Sequence, residues 1–175
     1  MRPLVPDGLA AALQNHLQIV EITPWGLCLF VSGILDIDVK SHVAACFCQV
    51  PVCIIVPPDP LKQIPLLYVT SRPQWLKSGE DWHVSQNGLV CMDWEARYVD
   101  HLNLLSERTE ADLADVAAQW ITRSAAHILH VHITCHATGR TKWPKGVPYW
   151  DHGDAAAPQY KLEKQAILRA LKPNR

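Results

Sequence analysis

A cysteine acts as a nucleophile when it is partly exposed and lies among polar groups that favour the thiolate or stabilise an oxyanion. Residues 83–94, HVSQNGLVCMDW, offer that setting around Cys91. Gly88 permits a tight turn, Leu89 and Val90 anchor the chain in the core, and Cys91 then emerges beside Asp93 and Trp94. His83 lies eight residues before the cysteine and Asn87 four before it, so the chain can fold both back toward the sulfur. Asp100 and His101 follow at nine and ten residues. His101 joins the candidates as a group able to take a proton from an attacking amine or water. Cys91, His83, Asn87 and His101 therefore form the candidate catalytic set. Two blander readings compete with it. Free cysteine is among the most buried residue types, and residues 100–101 also fit an exposed polar turn before Leu102.

Other clusters carry less chemistry. Cys46, Cys48 and Cys53 are spaced C-x-C-x4-C, not in the paired C-x2-C arrangement that zinc sites prefer. With Ala, Phe and Val around them they read as packed small residues, as does Cys28 within GLCLFV. His127, His130, His132, Cys135 and His136 could gather around zinc, but they straddle an expected helix end and no acidic or cysteine pair stands near them. Histidine is in any case favoured at a helix C-terminus by the dipole. The expectation is no metal and no cofactor. No Walker loop, G-x-G-x-x-G, H-E-x-x-H or G-x-S-x-G occurs, so nucleotide-dependent and serine-hydrolase chemistries have no positive support.

Composition sets the frame for these residues. With 49% apolar and 19% charged residues, the 175-residue chain is expected to fold on a packed core as a single domain. Sixteen basic against 17 acidic residues, with no basic block, give no face for nucleic acid. Pro3, Pro6 and Asp7 fall where a signal peptide needs an apolar stretch, and the longest apolar runs are about half a membrane span. The chain is therefore expected in the cytoplasm, without membrane contact, with its six cysteines reduced.

The elements that must position the site follow from local pattern. Residues 7–16 read as a short helix with Asp7 as N-cap. Residues 17–23 and 26–36 read as strands that turn near Pro24-Trp25-Gly26. One or two buried strands follow through HVAACFCQVPVCIIVPP, where Pro51 signals an edge or a bulge, and PLLYVT (65–70) makes another. Residues 71–98 are irregular, aromatic-rich and without a clean period, the mark of a segment ordered by packing. Thr109 opens a capping box, with Asp112 reaching back, before Leu113, Val116, Ala117, Trp120, Ile121, Ala125, Ile128 and Leu129 recur at helical spacing. That helix, of about five turns, should lay its apolar stripe on the sheet. A Pro/Gly/Trp-rich loop and a last helix from about 158 to 171 complete the chain. The expected class is α+β, with helices on one side of an antiparallel sheet.

The order of helix, strand meander, W-x6-W-H-x4-G-L-V-C and long helix resembles the ubiquitin-conjugating enzyme family. In particular it looks like divergent bacterial members encoded in anti-phage operons. Pro65, Trp75, His83, Gly88, Leu89, Cys91 and Trp94 carry the likeness, and WPKG (143–146) with WDHG (150–153) resembles a tail pattern of the bacterial forms. The resemblance spans roughly residues 7–153, leaving 154–175 as helix and tail. It implies that Cys91 carries an acyl group as a thioester with the C-terminus of a protein partner and passes it to an amine. That partner would be a cGAS-like nucleotidyltransferase or a ubiquitin-like protein, with any ATP-driven activation supplied elsewhere. It also implies that His83 braces the loop. The family's His-Pro-Asn stands here as His83-Val84-Ser85, so the oxyanion donor would be Asn87, Ser85 or backbone amides. One such donor is worth about 10²–10³ in rate. A binding module of the same fold without catalysis, and a cysteine hydrolase or zinc protein, are the alternatives.

Overall fold

Gly26 and Leu27 turn the chain between its first two strands, β1 (Gln18–Trp25) and β2 (Cys28–Lys40). In this computed structural model, which describes residues 4–40, 45–91, 102 and 109–144 (side chains of 38–40 and 45–47 excepted), Trp25 lies opposite Cys28. Gly26 has φ 58°, the left-handed value that a two-residue hairpin turn demands. The turn thus falls two residues later than the Pro24-Trp25-Gly26 pattern suggested. β2 pairs antiparallel with β3 (Ala45–Val56), and β3 with β4 (Leu66–Val69), giving a four-stranded meander in the order β1-β2-β3-β4.

Pro51 marks neither a bulge nor an outer strand. The register between β2 and β3 runs unbroken through Ile34 opposite Pro51, and β3 is a central strand. The proline is accommodated because its carbonyl accepts from Thr70 N at 3.1 Å, on the β4 side. In an extended strand the N–H of a residue points to the same side as its C=O. The missing donor therefore faces Thr70, one residue past the end of β4 at Val69, so the single bond that proline cannot make falls at the end of the ladder and not within it. The one irregularity in the described ladders lies in β1, between Ile19 and Glu21.

Two helices cover one face of the sheet. Val31, Leu35 and Ile37 of β2, alternate residues Val50 to Val56 of β3, and Leu67 and Val69 of β4 are all buried. α1 (Pro6–Leu13) contributes Leu9 and Leu13, both fully buried. Its cap differs from expectation. Val5 occupies the N-cap with no side-chain hydrogen bond, and Asp7 sits inside the first turn, because Pro6 takes the first helical position where its missing N–H costs nothing. α2 (Glu110–Ala137) is longer than its clearest periodicity, since no breaker interrupts it before Thr138. It packs against α1 and β2, and all eight residues of the expected stripe are buried. At its start, Asp112 N donates to Thr109 Oγ1 at 3.2 Å, while the Thr109 hydroxyl donates to the Asp112 carboxylate at 2.8 Å. Aspartate, one methylene shorter than glutamate, reaches the hydroxyl rather than the backbone amide. At its end Gly139 has φ 68°, Gly139 N donates to His136 O and Arg140 N to Cys135 O. These are the two bonds of a Schellman cap.

The opposite face of the sheet is partly apolar. Phe30, Ile34 and Ile55 are half-buried, Leu66 is exposed, and Trp25 stacks at 5.0 Å on Phe30. The first compact unit is Met1–Pro144 and a second is Lys145–Arg175. The WDHG pattern and the expected terminal helix lie outside the described residues, as does His101.

Candidate functional site

Beyond β4 the chain doubles back on itself in short backbone-bonded steps. Residues Glu80–Trp82 form one 3₁₀ turn, enclosed by a bridge in which Gly79 N donates to Val84 O at 2.8 Å. His83 ends that turn with φ 57°, a left-handed conformation uncommon for a residue with a side chain. Ser85 to Gly88 then form a β-turn closed by Gly88 N to Ser85 O at 3.0 Å. Residues 88–90 extend the sheet by a short edge. Val69 N donates to Gly88 O, Val90 N to Leu67 O, and Leu89 bridges Tyr68 antiparallel. Val84 and Val90 bridge each other and are buried beneath.

Gly88 is required here twice over. Its φ is 90°, and a Cβ would lie 2.4 Å from Val69 O. Only a residue without a side chain lets the turn approach β4 this closely. The sequence pattern G-L-V-C thus has a physical reading: glycine for the approach, Leu89 and Val90 for the edge and the core, and the cysteine at the point where the chain leaves the sheet.

Cys91 emerges half-buried, with its N–H donating to His83 O at 2.8 Å. The site therefore brings Cys91 and His83 together through the backbone. The His83 ring meets Trp143 edge-on at 4.7 Å and an interplanar angle of 84°. Asn87 helps to close its own turn. Its side-chain oxygen accepts from the Ser85 hydroxyl and from Leu89 N, and Ser85 Oγ also accepts from Leu89 N, so both side chains serve their own turn. Arg72 donates to Gln86 O and fastens the outside of the same turn.

The segment is tied to α2 by His132. This histidine has no exposed surface. Lys77 N donates to its Nδ1 at 3.1 Å, and its Nε2 lies 2.8 Å from Trp82 O. Both bonds form only in the neutral ring with hydrogen on Nε2. Burial pushes the His132 pKa below 6.5, helped by the Lys77 charge and opposed by the carbonyls of Trp82 and Trp75. Trp82 lies between His132 (5.2 Å) and Trp143 (6.2 Å), with Lys77 Nζ 4.4 Å over its ring. Lys77 Nζ also donates to Arg140 O just past the helix end.

The histidine cluster is spread along one helix. All five residues lie on α2, which does not end among them. His132 has both ring nitrogens engaged by backbone, Cys135 is buried, His127 and His130 are half-buried, and His136 is exposed. Among the described residues no group of three or more His, Cys, Asp or Glu side chains could hold a metal ion. Burial pushes the Cys135 thiol up despite Arg140 and Lys77, and pushes the Cys53 thiol up against a hydrogen bond from Ser32. Cys28 and Cys48 are half-buried on their strands, and the Cys46 side chain lies outside the described residues.

Lys77, Trp82 and Trp143 are not among the candidate site residues of the sequence, and His132 stands there only as a possible zinc ligand, although its position carries a further signal. His132 falls three residues after Leu129 and seven after Ala125, on the buried stripe of α2. A polar residue on an apolar stripe must find partners. Among the described residues no helix is long and apolar enough to cross a membrane. No family model, curated protein or solved structure matches this chain.

Proposed function

We propose that the chain is a cysteine acyl carrier and transferase of the ubiquitin-conjugating type, working through Cys91. The observation that carries this reading is the setting of the thiol. Cys91 is half-exposed at the end of an edge clamped to β4 by Val90 N and to the preceding turn by its own N–H. A thiol so held is accessible to a macromolecular acyl donor yet fixed in direction. The thiolate attacks the activated C-terminal carbonyl of a protein partner, whose leaving group departs as the thioester forms. A neutral amine then attacks the thioester carbonyl, its surplus proton passes to His101 or to water, and the sulfur leaves as thiolate. The partner is a cGAS-like nucleotidyltransferase or a ubiquitin-like protein, and the setting is bacterial antiviral defence. The Ser85 hydroxyl and the Asn87 side-chain oxygen are engaged in their turn, and the amides of residues 88–91 already donate to the turn, to β4 or to His83 O, so the Asn87 side-chain NH2 remains the candidate donor for the oxyanion.

The test is co-expression with the neighbouring genes of the operon, followed by gels with and without thiol. Wild type should carry a thiol-labile adduct, Cys91→Ser a thiol-resistant ester and Cys91→Ala none. An adduct that persists in Cys91→Ala overturns the assignment. A second reading is a binding module of the same fold, in which the Ser85 and Asn87 side chains serve only to close their own turn. That reading takes the lead if wild type carries no adduct while the neighbours still co-purify.

A further inference from the structure

A buried imidazole that spans two backbone groups 50 and 55 residues away in sequence does more than fill space. Sheet amides hold residues 88–90 from one side, but nothing in the sheet ladder reaches Lys77 or Trp82. Those two are joined to α2 at His132, and the next residue after Trp82 is His83, whose carbonyl receives the Cys91 N–H. The path from helix to thiol is therefore His132 Nε2–H to Trp82 O, one peptide unit, and His83 O to Cys91 N–H. His83 is itself held in a left-handed conformation, so its carbonyl direction depends on that of the peptide before it.

We infer that His132 is the positioning residue for Cys91: as a neutral, Nε2-protonated imidazole it fixes the Lys77–Trp82 loop to α2 and so sets where the thiol emerges. The inference rests on the acyl-carrier reading for its functional meaning, though not for its geometry. Its chemistry makes the latch sensitive to acid. A proton on Nδ1 would face the Lys77 N–H across 3.1 Å, two donors with no acceptor between them, and one must move. The groups facing the ring from each packed element are Lys77 and the carbonyls of Trp75 and Trp82 from the loop, with Trp143 at 6.3 Å beyond. Arg140 lies past the helix end, held to Lys77 Nζ. None of these is a carboxylate that would neutralise an imidazolium.

The sign follows. The folded pKa lies below 6.5, so the unfolded or opened form binds the proton first as pH falls. The latch is intact above 6.5, weakens as pH falls from there toward the folded value, and stops changing below that value.

The experiment is residue-resolved amide hydrogen exchange on the full chain, with two conservative variants. His132→Gln keeps a donor near Nε2 for Trp82 O, and His132→Asn keeps an acceptor near Nδ1 for Lys77 N. The Cys91 amide should exchange about five- to tenfold faster in His132→Asn, the effect of one lost buried hydrogen bond on a local opening. In His132→Gln it should stay within about twofold of wild type, while Lys77 speeds up. Val90, bonded to β4, and Ile54 in the sheet should change in neither. Equal acceleration of Val90 and Ile54 would mean general destabilisation and overturn the inference, as would an unchanged Cys91 amide in His132→Asn. Should either variant fail to fold, the wild type decides. Its ring nitrogens must report the neutral Nε2–H form at pH 7.5, and Lys77 must lose protection below pH 6.5; a charged ring or the other tautomer overturns the proposal. Thioester loading, read in parallel, should fall with acid in wild type more steeply than in His132→Gln. Absence of any loading with the exchange pattern intact defeats the acyl-carrier reading and leaves the latch standing.

Discussion

The helix-covered sheet and the segment from Arg72 to Cys91 are held by different forces. In the first, Val31, Ile54, Leu67, Ile121 and Leu129 are among side chains buried to 2% exposure or less. Each such aliphatic contributes about 1.5–3 kcal/mol through apolar burial, which has no preferred direction. In the second, Trp82, Val84 and Val90 supply most of the buried apolar surface, and position is fixed by discrete bonds to His132, Val69, Leu67 and His83. The layered region can lose a methyl group and relax. The segment carrying the thiol must keep individual donors and acceptors in register, because a hydrogen bond weakens steeply with angle. Stability and placement of the thiol are thus separable in this protein, and substitutions can address each alone.

The largest expected effect lies in the layered region. Ile121→Ala removes a side chain with no exposed surface, 11 residues and about 16 Å along α2 from His132. It should lower unfolding free energy by about 2–5 kcal/mol, a large part of the roughly 5–15 kcal/mol that a domain has. Urea unfolding should show a lower midpoint with an unchanged slope. The Cys91 amide of the molecules that remain folded should exchange by local opening at the wild-type rate. If the Cys91 segment loosens before the sheet does, the two regions are not independent and the comparison breaks.

Gly88→Ala acts from the other side. The added Cβ cannot stay 2.4 Å from Val69 O, and a φ of 90° strains any side-chain-bearing residue by about 1–3 kcal/mol. The turn must therefore lift away from β4. Exchange at Val69 and Val90 should rise about tenfold or more, with Cys91 following, while the urea midpoint moves less than in Ile121→Ala. Wild-type protection at Val69 and Val90 in this variant would show that the segment does not depend on the close approach at all.

The same division explains what the sequence made legible. The strands expected at 17–23, 26–36 and 65–70 stand at 18–25, 28–40 and 66–69, and they, the stripe of α2 and the Thr109 cap follow from residue runs between turn signals, helical spacing and local capping chemistry, which a single segment contains within itself. So did Gly88, whose role as turn former next to Cys91 is local in sequence. The α1 cap was misread because Asp7 and Pro6 compete for adjacent positions, and proline's fixed φ decides the first turn. The tie between His132 and Trp82 was not legible, because it joins residues 50 apart through a backbone carbonyl that no side-chain pattern marks. The bonds that the Ser85 and Asn87 side chains make to Leu89 N were not marked by spacing either, although an asparagine beside a turn readily meets the amides of that turn.

The smallest effect sharpens the comparison most, because it tests whether disturbance travels along α2. Thr109 is exposed, and its hydroxyl both accepts from Asp112 N and donates to the Asp112 carboxylate. Thr109→Ala leaves the first amides of the helix to water and should cost about 1 kcal/mol, whereas Thr109→Ser keeps both bonds and should cost a few tenths. Fraying should stop within one turn, since Leu113 and Ala114 are buried against the core. From Thr109 to His132 the rise is about 34 Å, over which a frayed end has no mechanical reach into the latch. The expected result is a small fall in urea midpoint for Thr109→Ala, none resolved for Thr109→Ser, and identical Cys91 and Lys77 amide exchange in both. A change at Lys77 in Thr109→Ala would mean that α2 transmits strain as a rigid rod. The placement of the thiol would then depend on the whole helix rather than on the one imidazole that faces it.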